Sequence, residues 1–173
     1  MSLQEVLHAQ QPAAELAPQL GLYAFLIGSW ATQIKTRDNG RVHEGAGEIH
    51  AGWVLEGRAI QDVWMIPRRT QRSATAPPLP VAGNWYGTTL RVFDPTLGAW
   101  RILWTDPATN NFVRQIGRAE GNDIVQDGEH VNGTAMRWRF TNITPASFHW
   151  IGEFMRDGST RWERQVEVFA ERV

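Results

Sequence analysis

Trp85-Tyr86-Gly87-Thr88-Thr89-Leu90-Arg91-Val92-Phe93, then Asp94-Pro95-Thr96-Leu97-Gly98, then Ala99-Trp100-Arg101-Ile102-Leu103-Trp104-Thr105-Asp106: this stretch decides the fold. Two runs rich in β-branched and aromatic residues flank a break that opens with Asp-Pro and closes with Gly. Proline presets φ at the second turn position, and the second run alternates Trp100, Ile102 and Trp104 on one face. That is two strands of a hairpin, and Asp106-Pro107-Ala108-Thr109-Asn110 opens the next turn.

Outward from this hairpin the texture repeats. Breaks fall at Asp38-Asn39-Gly40, Leu55-Glu56-Gly57, Glu120-Gly121-Asn122-Asp123, Asn132-Gly133, Thr144-Pro145 and Asp157-Gly158. Asn-Gly and Asp-Gly supply the positive-φ turns that match strand twist. The breaks delimit about ten strands, near 29–37, 42–54, 58–66, 85–93, 99–105, 112–119, 123–128, 135–143, 147–156 and 161–170. No interval holds a crossover helix, so neighbours pair antiparallel. An open meander of that size leaves two raw edges, which closure into an up-and-down barrel removes. The expected class is all-β: a closed antiparallel barrel of about ten strands with a short N-terminal helix. One domain spans 1–173, with a helical lead-in over 1–27 around Pro12, Pro18 and Gly21. The segment 67–84 has no periodicity and is predicted to be a long flexible loop.

Composition narrows the function. There is no cysteine, which removes thiol catalysis and Cys-ligated zinc. Basic and acidic residues number 17 and 18 and are mixed along the chain, which argues against a nucleic-acid footprint. In Arg137-Trp138-Arg139-Phe140 the period of two puts the arginines on one strand face and the aromatics on the other, as a barrel wall requires. The N-terminus has no secretory pattern and no run is long enough to span a bilayer, so the cytoplasm is the expected location. Nine tryptophans spread along the chain suit a wide cavity with aromatic walls.

Gly28-Ser29-Trp30, following a short helical lead-in, resembles the opening of the lipocalin-like, or calycin, barrels, where the Trp closes the floor. Trp53-Val54-Leu55-Glu56-Gly57-Arg58, Gly87 to Pro95 and Trp100 to Asp106 are similar to a branch of small bacterial cytoplasmic lipocalin-like proteins. About ten strands exceed the eight of a typical lipocalin and are nearer the fatty-acid-binding and nitrobindin-like members. The resemblance implies a fold and not a function.

Alternation marks which faces carry a charge among apolar residues. Asp62 shares a face with Ile60, Trp64 and Ile66; Arg114 with Phe112 and Ile116; Arg164 with Trp162, Val166 and Val168. Trp104, Trp138 and Trp150 lie on the apolar faces of their strands. If these faces point inward, Asp62, Trp64, Trp104, Arg114, Trp138, Trp150 and Arg164 line a ligand-binding cavity. Asp62 then pairs with one arginine, either as a packed core pair or leaving the other arginine to hold an anion. An arginine on the last strand resembles the carboxylate anchor of fatty-acid-binding proteins. Val166 stands where their companion tyrosine would be, so an aromatic acid suits the walls better than a fatty acid.

The expected function is binding of a small apolar or aromatic acid. The alternative is a cofactor-free enzyme of the isomerase, cyclase or decarboxylase type, for which His149 and Glu153 would supply acid and base if their face turned inward. The nitrobindin-like resemblance would make His149 a haem ligand, but its neighbours reproduce no haem-ligand motif. No cofactor and no metal site are expected, and no catalytic residue is assigned. The expected partner is a small apolar or aromatic ligand, without nucleic acid or membrane; a homodimer stays open.

Overall fold

The computed structural model of the chain describes residues 1–38, 40–72, 84–130 and 132–173. Asn39 of the first hairpin turn, and most of the 67–84 segment, lie outside the described residues. The N-terminal part carries α1 (Leu3–Leu7), the two-residue strand β1 (His8–Ala9), and α2 (Ala17–Leu20) between the 3-10 turns Ala14–Leu16 and Gly21–Leu26. Ten longer strands follow: β2 (Gly28–Asp38), β3 (Arg41–Val54), β4 (Ala59–Ile66), β5 (Trp85–Asp94), β6 (Ala99–Asp106), β7 (Asn111–Glu120), β8 (Asp123–Glu129), β9 (Ala135–Thr141), β10 (Ser147–Met155) and β11 (Trp162–Arg172). Each pairs antiparallel with its neighbour in sequence, and β11 pairs with β2, which closes the barrel as the hairpin reading requires. Among the described residues no helix is long and apolar enough to cross a membrane.

The N-terminal segment plugs one end. Leu20, Tyr23 and Leu26 are fully buried there against Trp100, Phe140 and Phe148. Trp30 is also fully buried; its indole N–H donates to the Leu26 carbonyl at 2.8 Å, and its ring meets Phe148 edge-on at 4.8 Å. The Arg172 guanidinium lies 4.1 Å over the Trp30 ring and donates to the carbonyls of Phe25, Ile27 and Pro145. Gly28 makes room for it: φ is +123°, and a Cβ there would sit 2.5 Å from Arg172 Nη1. The first and last strands are thus locked to the plug at the floor.

Two strand faces differ from the sequence reading. On β7 the inward residues are Val113, Gln115 and Gly117, while Phe112 and Arg114 are exposed. Both faces of that strand carry apolar and polar residues, so alternation alone does not choose. The interior does: Gln115 Nε2 donates to the Gln126 backbone carbonyl at 3.0 Å, Gln126 Nε2 donates to Gln115 Oε1 at 3.1 Å, and the Tyr23 hydroxyl occupies the space over Gly117 and donates to Gln126 Oε1 at 3.1 Å. On β11 a bulge opposite Gly152 and Glu153 inserts Gln165. The extra residue turns Val166, Val168 and Ala170 inward and leaves Arg164 outside.

Candidate functional site

At the end away from the plug, the inner faces of β4, β5, β6, β9 and β10 bring tryptophans together. Trp64, Trp85, Trp104, Trp138 and Trp150 form a closed circuit of ring contacts. The centroids are 6.4 Å apart for Trp64–Trp85 and Trp85–Trp104, 6.0 Å for Trp104–Trp138, and 5.4 Å for Trp138–Trp150 and Trp150–Trp64. All are tilted or edge-on, which suits the ring quadrupoles. These rings line a cavity of ≈ 100 Å³. Thr89, Arg91, Asp106, Asn111, His130, Glu153 and Val166 are among the other residues of its lining.

Beneath it is a buried ion pair. Asp62 and Arg91, both about 1% exposed, meet through Oδ2 and Nη1, and Asp62 Oδ1 accepts from the Thr89 N–H at 3.2 Å. Arg91 also lies over the Tyr23 and Phe140 rings, at 5.3 and 5.8 Å. Burial pushes the Tyr23 phenol well up from its usual range, against the opposing pull of the Arg91 charge, so it stays a neutral donor.

Nearer the mouth, Asp106 is fully buried on the inner face of β6. Its Oδ1 accepts from the Ala108 and Thr109 N–H groups at 2.9 and 3.3 Å, which explains why Asp opens that turn. Among the described residues its Oδ2 has no partner, and neither do Trp64 Nε1 and Arg91 Nε. Buried polar atoms left unpaired are costly, and a ligand that pairs them recovers that cost. Burial holds His130 below the ordinary histidine range.

No protein-family model matches the chain, and no curated protein matches it. Solved structures do. The S-type phycobiliprotein lyase CPES of Guillardia theta superposes with a TM-score of 0.57 at 9% identity, over 88% of this chain and 91% of its own. Rv2717c of M. tuberculosis superposes with a TM-score of 0.56 at 12% identity, over 94% of this chain and 99% of its own. With the closed barrel, the plugged floor and Trp30 upon it, these decide the architecture. The chain has the lipocalin-like, or calycin, fold.

Within this calycin barrel the residues read from sequence separate into two groups. Trp64, Trp104, Trp138 and Trp150 line the cavity, and Asp62 lies just beneath it. Arg114 and Arg164 do not enter. Arg114 is exposed on the outer wall, and Arg164 Nη1 donates to Glu167 Oε1 at 2.8 Å there. Glu167 also meets Arg37 at 2.6 Å and His149 at 3.2 Å. Burial pushes the Glu167 carboxyl up, but the Arg37 hydrogen bond and the charges of Arg164, Arg37 and His149 hold it below its usual value. His149, stacked on Phe169 at 4.3 Å, belongs to this outer network, so its imidazole is not available to a haem or a substrate in the barrel. Burial holds its pKa down, against the Glu167 charge. Glu153 pairs with Arg139 at 3.2 Å.

The expected partner for Asp62 is therefore corrected from Arg114 or Arg164 to Arg91, and the cavity has no surplus arginine. Arg91 shares the inner face of β5 with Trp85, Gly87, Thr89 and Phe93, so the alternation that revealed Asp62 would also have revealed it. Asp106 was legible only as a turn residue.

Proposed function

We propose that the protein binds a small, flat, apolar or aromatic molecule in the tryptophan-walled end of its barrel. The observation that carries this is the cluster of five contacting tryptophan rings that line one cavity, whose polar lining residues keep unpaired atoms. Ligand pockets combine these features: broad apolar walls for affinity and a few convergent polar groups for orientation. Recognition of an acid was tied to Arg114 and Arg164. With both on the outer wall, and Arg91 paired with Asp62, the described lining of the cavity holds no further arginine or lysine to support it. The enzyme alternative gains nothing from the geometry: among the described residues no histidine and carboxylate are hydrogen-bonded to each other within the cavity. The reading takes the chain as one domain acting in the cytoplasm, as its sequence predicts.

Calorimetric titration with fused two-ring aromatics tests it, beside Val166→Phe, which fills the cavity from β11, and Leu103→Ala on the outer wall. Binding is expected in the wild type and in Leu103→Ala. In Val166→Phe it should weaken by about tenfold or more, a change of about 1.4 kcal/mol. Unchanged binding in Val166→Phe would place the ligand outside the cavity and refute the reading.

A further inference from the structure

Two of the buried groups without a partner, Trp64 Nε1 and Asp106 Oδ2, lie on one tier of the barrel. Trp64 on β4 pairs with Gly87 on β5, and Thr88 pairs with Thr105 on β6; continuing that register sets Asp106 opposite Gly87. The Tyr86 N–H, 3.4 Å from Asp106 Oδ1, agrees with that placement. Trp64 and Asp106 thus flank one glycine at the same height, two strand spacings apart, ~10 Å between backbones. Gly87 contributes no side chain between them. A Cβ there would lie 2.5 Å from Trp104 Cζ2, so the Trp104 ring occupies the wall at that point. The tier presents an indole donor on one side, a carboxylate acceptor on the other, and an aromatic surface between.

Charge adds a second constraint. Of the ionised side chains around the cavity, Arg91 is matched by Asp62 and Glu153 by Arg139. Asp106, fully buried, has no cationic partner among the described residues. Its Oδ1 is committed to the turn, and its Oδ2 is buried without a partner among the described residues. A ligand carboxylate placed here would meet a like charge in an apolar enclosure, whereas an N–H group would complete the unsatisfied oxygen. Aromatic walls favour a planar body, and a positive charge on it is tolerated by their π faces.

We propose that the cavity selects a planar nitrogen heterocycle that directs an N–H donor to Asp106, offers an acceptor to the Trp64 indole, and carries no negative charge. This rests on the reading that the cavity binds a flat ligand, and reverses the charge expected from the sequence.

The test compares three probes on the full chain by calorimetry and ligand-observed NMR: 2-aminobenzimidazole, benzofuran as a bicycle without the N–H, and 2-naphthoate as the acid. A charge-assisted hydrogen bond corresponds to about 10- to 150-fold in affinity, and 2-aminobenzimidazole is expected to lead both others by that margin. Asp106→Asn should abolish the preference over benzofuran, because the amide can keep its oxygen on the turn and place an NH₂ where the acceptor was. Trp64→Phe should weaken 2-aminobenzimidazole more than benzofuran. Equal wild-type affinities, or tighter binding of 2-naphthoate, would overturn the selectivity and leave aromatic binding standing. A preference that survives in Asp106→Asn would also overturn it. Binding of none of the three would overturn both. If Asp106→Asn does not fold, the wild-type comparison and Trp64→Phe still decide the matter.

Discussion

Replacing Arg91 by Met keeps most of the apolar stem and removes the charge that faces Asp62. Both partners are essentially without solvent contact, and the Asp62 carboxylate keeps one backbone donor, Thr89 N–H at 3.2 Å. Breaking one side of such a buried pair leaves an uncompensated charge, which costs about 3–5 kcal/mol. For a chain of this length each kcal/mol moves Tm by ~2–4 °C, so the shift is about 6–20 °C. Removing both charges, as Asp62→Leu with Arg91→Met, leaves a site without an orphan charge. That double change is expected to lie near the wild type, since apolar replacement of a buried pair is often neutral or stabilising. Urea unfolding followed by tryptophan fluorescence and far-ultraviolet dichroism measures the cycle, with unchanged m-values confirming comparable end states. A loss below about 1 kcal/mol in Arg91→Met, or an equal loss in single and double variants, would refute the assignment of Arg91 as the partner that stabilises Asp62.

Trp30→Ala is expected to cost about 3–5 kcal/mol in the same titration, because the floor loses a fully buried indole together with the Arg172 stacking surface. Arg164→Met should leave aromatic ligand affinity within about twofold of wild type in calorimetry, since its guanidinium is spent on Glu167 outside the barrel. Stability should fall as pH drops from 7 toward 5: His130 and His149 titrate lower folded than unfolded, so their contribution is present above the free histidine value near 6.5 and lost as pH falls through the depressed folded values. Below pH 5, Glu167 extends the loss, its contribution being present above the unfolded carboxyl value and lost as pH falls through its lowered folded one; in thermal unfolding against pH, Glu167→Gln should flatten that acid limb.

Strand boundaries, antiparallel pairing and closure were legible in the sequence because they follow from local chemistry. Asp-Pro, Asn-Gly and Asp-Gly dictate turns within a few residues, and the period of two survives wherever one face is plainly apolar, as at Trp100, Ile102 and Trp104 or Met136, Trp138 and Phe140. Trp30 was legible through its place beside Gly28. The orientation of β7 was not, since Phe112 and Ile116 compete with Val113 on the opposite face; the choice falls to Tyr23 and Gln126, far away in the chain. The bulge at Gln165 was equally invisible, and one inserted residue is enough to carry Arg164 from the expected interior to the outer wall. The partner of Asp62 depended on which of several arginines the closed barrel brought within reach, and Asp106 became part of a cavity only when the β5–β6 register set it across from Gly87. Local sequence determined where the strands run and turn. Long-range register alone decided which charges share the interior, because a charge is paired by its neighbours in space, and a shift of one residue along a strand exchanges inside for outside.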